Sequence, residues 1–227
     1  MPERGGVFDG DPVSGSPLAT LRLILSDARG RGFLGPGPIE VHIRHAAAFA
    51  AAARPEDSGA ADPSSVVDLG SGGGVPGLVL ALLWENSMLF LVDARLRRAA
   101  FLREAVHELG LDGRVSVSAE RAEVLGRTQA RRGAYELVVA RGFGTPAIVA
   151  ECAAPFLAIG GKLVVSEPPR DAPVEERRWP DQGLAMLGMG PAAPSGSEYR
   201  FVVVPQLSLC PERFPRRVGV PAKRPLF

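Results

Sequence analysis

Histidine and cysteine are scarce here, with three and two residues among 227. The two cysteines, Cys152 and Cys210, are far apart and lack the spacing of a metal knuckle or a disulfide framework. They read as small buried hydrophobes kept reduced, no metal is expected, and with no secretory leader pattern ahead of them the expected compartment is the cytoplasm. Excess charge of one sign is also missing. With 26 basic against 25 acidic residues the formal net charge is +1, which excludes a polyelectrolyte, so any anionic partner must be met by a local patch. No uncharged apolar run approaches the roughly 20 residues of a membrane crossing, and no membrane partner is expected. Hydrophobic residues make up 46% of the chain, enough for one full-sized core.

Glycine and proline, by contrast, are abundant, at 27 and 21 residues, and they punctuate the chain. Residues 1–17 carry no apolar periodicity and read as a disordered tail; 18–62 form a helical extension, 63–210 the main domain, and 211–227 a basic, proline-rich tail packing on or beside it. Apolar spacing predicts helices over 18–28 and 39–54, joined by the loop "GRGFLGPGP". Beyond the linker "RPEDSGAADPSS", strands at 66–69, 88–93, 114–117, 136–140 and 162–166 alternate with helices at 76–83, 96–109, 120–127 and 146–156. That alternation defines an α/β fold, a mostly parallel twisted sheet with helices on both faces. The proline-rich, charged run "EPPRDAPVEERRWPDQG" separates it from "YRFVVVPQLSL", expected to supply antiparallel edge strands. Ligands of such sheets bind beyond the carboxyl ends of the strands.

At the first such end stands "VVDLGSGGGVPG". Glycines there let a ligand approach main chain, since no Cβ intervenes. Gly72, Gly74 and Gly77 also fit the G-x-G-x-x-G spacing of a dinucleotide site, so the glycine count leaves two ligand classes open. Asp68 separates them: a carboxylate at the strand end repels a pyrophosphate and attracts a ligand bearing an ammonium and a sulfonium. Pro76 removes one amide from the helix start that would cradle phosphate. S-adenosylmethionine has those charges and no phosphate, and Asp93, at the end of the second strand, is placed for its ribose hydroxyls.

These stretches, with "LVDARLRRAAFLREAVHELGL", "RAE", "ARGFG" and the terminal "FPRRVGVPAKRPL", resemble the bacterial 16S rRNA guanine-N7 methyltransferase family, also called the glucose-inhibited division protein B family, from about residue 18 to the end. The resemblance implies a Rossmann-like class I S-adenosylmethionine-dependent methyltransferase acting on 16S ribosomal RNA or the small subunit, expected to be monomeric. It implies that Gly70 and Val75 contact the cofactor beside Asp68, Gly72, Gly74 and Asp93, that Ala122 and Glu123 border the adenine, and that Arg141 lies at the active-site mouth, where it is the candidate catalytic residue. Two departures stand out. His45 is followed by "AAAF" where the family shows an Asp-Ser pair, and Glu167-Pro168 replaces Lys-Gly, reversing a charge where RNA should approach. His45 itself, on an alanine-rich helix, reads as a satisfied core or surface residue.

Guanine N7 carries an available lone pair, so its methylation needs no base, and none is evident. The Asn-Pro-Pro-aromatic motif of amine methylation is absent, and Cys152, inside a helix, is no candidate pyrimidine nucleophile. For RNA, the best cluster is Arg213, Arg216, Arg217, Lys223 and Arg224, held extended by prolines, with Phe214 available to stack on a base. Arg95, Arg97, Arg98 and Arg103 form a weaker one. The rival readings are a divergent small-molecule methyltransferase and a non-catalytic RNA-binding protein retaining the fold.

Overall fold

The computed structural model describes residues 16–54, 61–168 and 178–227. Most of the expected 1–17 tail, residues 55–60 of the linker, and 169–177 lie outside them. Two helices come first, α1 (Pro17–Gly30) and α2 (Ile39–Ala53). Ser16 caps α1, its side chain accepting from Ala19 N–H, and Pro17 occupies the first turn, where a missing N–H costs nothing.

A seven-stranded sheet follows: β1 (Ser65–Leu69), β2 (Met88–Val92), β3 (Val115–Ser118), β4 (Tyr135–Ala140), β5 (Leu157–Ser166), β6 (Ala193–Ser195) and β7 (Phe201–Pro205). The spatial order is β3-β2-β1-β4-β5-β7-β6; the first five strands run parallel, and β7 is antiparallel to β5 and β6. The parallel crossovers are α3 (Gly77–Leu83), α4 (Leu96–Glu108), α5 (Ala122–Leu125) and α6 (Pro146–Ala153), and the chain closes with α7 (Asp181–Ala185) and α8 (Val220–Lys223). The fold is therefore the expected α/β Rossmann-like arrangement. β5 begins five residues earlier than its apolar run, because a register irregularity between Tyr135 and Leu137 lets the chain through Gly160 and Gly161 continue the strand. Short β6 and α7 carry too few periodic residues to be seen in sequence.

Side-chain alternation along the strands divides the core into two layers. Val66, Leu89, Leu91, Leu137 and Val139 join α1–α4 on one face, and Val67, Leu69, Phe90, Val138 and Ala140 join α6 and the C-terminal segment on the other. Fully burying each Leu, Val or Phe contributes about 1.5–3 kcal/mol, so the central strands anchor everything at their ends. Asp68 pairs in register with Leu91 and Val139, and Leu69 with Val92 and Ala140, so Gly70, Asp93 and Arg141 emerge side by side at one edge. This is where the strand order reverses, the crevice in which such sheets place ligands.

Candidate active site

The glycine loop is not bare toward solvent. Gly70 is half-buried, but residues 71–77 are buried, and the reason is the helical extension. A Cβ on Gly73 would lie 3.1 Å from the Ala28 Cβ, 3.1 Å from the Phe33 carbonyl and 3.2 Å from the Leu34 Cβ, and one on Gly72 would lie 3.3 Å from that carbonyl. One on Gly77 would lie 2.4 Å from Leu91 and 2.6 Å from the Asp68 Oδ2. The bareness thus serves the protein's own close packing as much as a ligand. Of the loop residues expected at the cofactor, Gly72, Gly74 and Val75 lie under the chain, and Gly70, against which Phe143 packs, reaches the opening.

The loop's amides are also spoken for. Gly70 and Ser71 donate to the Val92 carbonyl and Gly74 to the Ser71 carbonyl. Gly72 donates to Asp93 Oδ2 at 3.1 Å and Gly77 to Asp68 Oδ2 at 2.9 Å. Two carboxylates hold the amides that a dinucleotide fold offers to pyrophosphate, which removes both donors and sign for a phosphate ligand. Asp93 therefore first does structural work: its Oδ1 accepts from Arg95 N–H, and Arg98 Nη1 lies 3.6 Å from Oδ2. Each oxygen keeps a second lone-pair direction for a hydroxyl.

Asp68 is 1% exposed, and its Oδ1 has no partner among the described residues. Burial raises its pKa from 3.8 to about 7, against the lowering effect of the Gly77 bond. Across the switch point, Arg141 Nη2 donates to His42 Nδ1 at 2.8 Å, while Nη1 is buried and has no partner among the described residues. Burial lowers the Arg141 pKa, opposed by the charge of Asp68. An unpaired carboxylate oxygen and an unpaired guanidinium nitrogen, both out of water, are costly unless a ligand supplies a cation to one and an anion to the other. The ammonium and carboxylate of an amino acid do so, and S-adenosylmethionine carries both.

His45 stands edge-on to Phe49 and Tyr199, with ring centroids 5.6 and 4.9 Å away, and its pKa falls to about 4, through burial first and then the charge of Arg141. Its Nδ1 is likewise unpartnered, so it is a neutral, half-buried ring and not the satisfied one expected from its helix. His42, one turn earlier, carries no signal in the sequence, because its stripe is apolar and its polar partner lies 99 residues away. Ala122 and Glu123 are buried at the start of α5, but the Glu123 carboxylate turns to the C-terminal segment, where Oε1 accepts from Gly219 N–H at 3.0 Å.

The C-terminal segment departs from expectation in detail. Phe214 is 3% exposed in the second core layer and cannot stack on a base. Arg216 grips Glu151, itself 0% exposed, through Nε at 2.8 Å and Nη2 at 2.6 Å. Arg132 donates to the carbonyls of Cys210, Pro211 and Phe214. The segment is bolted down, not extended, because buried Glu151 holds Arg216 and Arg132 holds backbone carbonyls at its start; Arg213, Arg217, Lys223 and Arg224 remain exposed. The charge reversal at Glu167 is likewise offset locally, its carboxylate taking Arg178 Nη1 at 2.7 Å and Trp179 Nε1 at 3.1 Å. Cys152 and Cys210 are buried, with thiol pKa values raised by desolvation. Among the described residues, no helix is long and apolar enough to cross a membrane.

Known proteins resemble the chain in fold and in sequence. Among the solved structures that share the fold are a methyltransferase from Geobacter sulfurreducens (TM-score 0.58, 18% identity, 88% of this chain and 93% of that one) and a SAM-dependent O-methyltransferase from Thermotoga maritima (0.56, 12%, 82% and 71%). Closer in sequence are proteins named ribosomal RNA small subunit methyltransferase G. That of Chloroflexus aggregans is 36% identical over 170 residues, 72% of this chain and 70% of the relative, and that of Prochlorococcus marinus 36% over 173 residues, 74% and 70%. The family model described as GidB, rRNA small subunit methyltransferase G, matches residues 40–170, and the chain belongs to that family.

Proposed function

We propose that this protein transfers a methyl group from S-adenosylmethionine to N7 of a guanine in 16S ribosomal RNA. The observation that carries the reading is the pair of buried, unpartnered atoms of opposite sign, Asp68 Oδ1 and Arg141 Nη1, at the switch point of a sheet whose glycine-loop amides are already spent on carboxylates. When bound, the cofactor supplies a methyl group activated by a sulfonium.

The chain's own residues do the rest. Asp68 takes the ammonium, Arg141 the carboxylate, and Asp93 offers its remaining lone pairs to ribose hydroxyls; Ala122 lies where an apolar wall would meet the adenine. Gly70 admits Phe143 against the loop, where a Cβ would come 2.8 Å from its ring. Since guanine N7 enters with its lone pair free, no side chain need remove a proton. Holding a nucleophile about 3–3.5 Å from the methyl and in line accounts for up to roughly 7–11 kcal/mol of barrier lowering, which positioning and exclusion of water supply. A cavity of about 260 Å³ lined in part by Thr145, Arg178 and Phe227 lies at the start of α6. Exposed Arg213, Arg217, Lys223 and Arg224 are placed to meet RNA phosphates.

The test incubates the purified protein with methyl-labelled cofactor and either naked 16S RNA or 30S particles from cells lacking the gene, then maps the modified base. Label at a guanine N7 supports the reading. Binding of a nicotinamide nucleotide without S-adenosylmethionine binding, or label in small molecules and none in RNA, overturns it.

A further inference from the structure

His42 closes a chain of contacts that the cofactor reading does not use. It sits on the buried stripe of α2, 5% exposed. Its Nε2 lies 3.1 Å from the Gly35 carbonyl and its Nδ1 2.8 Å from Arg141 Nη2. A guanidinium only donates and a carbonyl only accepts, so the ring must carry its proton on Nε2 and offer the Nδ1 lone pair to Arg141. The nature of this partner matters. Buried arginines commonly lean on a carboxylate, which cancels their charge as it orients them. A neutral imidazole orients without cancelling.

We infer that His42 is a positioning residue, holding Arg141 by one edge so that the other edge meets the cofactor's carboxylate with its charge intact; this rests on the S-adenosylmethionine reading. The groups facing His42 favour the neutral ring. Burial lowers its pKa first, then the charge of Arg141 at the end of β4, with a further lowering from Arg29 of α1, while the Gly35 and Pro36 carbonyls pull the other way; His45 of α2 is the remaining titratable neighbour. Asp68 and Tyr199 act on Arg141 itself, the charge of each favouring its protonated form. The helical extension thereby sets the orientation of an active-site cation, through the loop that also covers the glycines.

The experiment compares two nucleosides by calorimetry. S-Adenosylhomocysteine keeps the amino-acid end, and 5′-methylthioadenosine lacks it. His42→Leu is expected to weaken S-adenosylhomocysteine by about tenfold or more, the loss of one charge-assisted hydrogen bond, and to leave methylthioadenosine within about twofold. His42→Asn, which keeps an acceptor near the Nδ1 position, should recover most of the affinity, and nitrogen-15 NMR of the wild type should show the Nε2–H tautomer. Equal losses for both nucleosides, no loss in His42→Leu, or the Nδ1–H tautomer overturns the inference while sparing the cofactor reading. A wild-type protein that binds neither nucleoside overturns the cofactor reading and this inference with it.

Discussion

At the scale of single residues, Asp68 couples the site to pH. Its folded pKa of about 7 lies above its ordinary 3.8, so folding favours the protonated form. The stability this group contributes is fully present below about pH 4 and is lost as pH rises toward 7. Ligand binding runs the opposite way, because the ammonium needs the ionised form. Calorimetric affinity for S-adenosylmethionine should therefore climb from pH 5.5 to about 7 and level off, with protons released on binding in the lower range. Asp68→Asn should flatten that profile and lower affinity by about two orders of magnitude, in line with the roughly 2–5 kcal/mol of a broken buried charge pair. An unchanged profile in the variant would assign the titration elsewhere. Both carboxylates were legible in sequence because strand ends are legible. That Asp93 spends its oxygens on Gly72 and Arg95 was not, because a free amide and a bonded one look alike in a string of letters.

Among elements, the contact that decides the site is the loop between α1 and α2 lying on the glycine loop. Gly74 has φ +98°, and a Cβ there would come 2.4 Å from Leu78. Gly74→Ala should cost about 1–3 kcal/mol in urea unfolding, from backbone strain and overpacking together. Gly142, with nothing near its Cβ position but φ +62°, should lose less on the same change. The comparison isolates packing from strain. α1, α2, α4 and the central strands follow from apolar periodicity. The docking of one loop on another does not, since both are simply glycine-rich, and neither records which partner its missing side chains make room for.

For the whole molecule, the C-terminal segment belongs to the core. Arg216→Ala leaves Glu151 buried without its cation and should cost about 3–5 kcal/mol, read as a lowered urea midpoint, with much of it regained when Glu151 is replaced by Leu as well. Arg217→Ala and Lys223→Ala, at exposed positions, should leave the midpoint unchanged and weaken RNA binding, each reducing the salt slope by about one or less. If instead Arg216 variants stay fully folded and lose RNA affinity with a reduced slope, the basic cluster works as the sequence alone suggests.

The sequence by itself determined the parallel strands and their crossovers, because these follow from short-range periodicity, and it marked the acids and glycines at the strand ends where a ligand is expected. It also carried the family resemblance. Only the tertiary structure decided which charges are free. Glu151 and Arg216, His42 and Arg141, and Glu167 and Arg178 are joined across 65, 99 and 11 residues. A charge buried against a partner and one left to solvent have the same letter, and the desolvation that separates them exists only once the chain has closed around it.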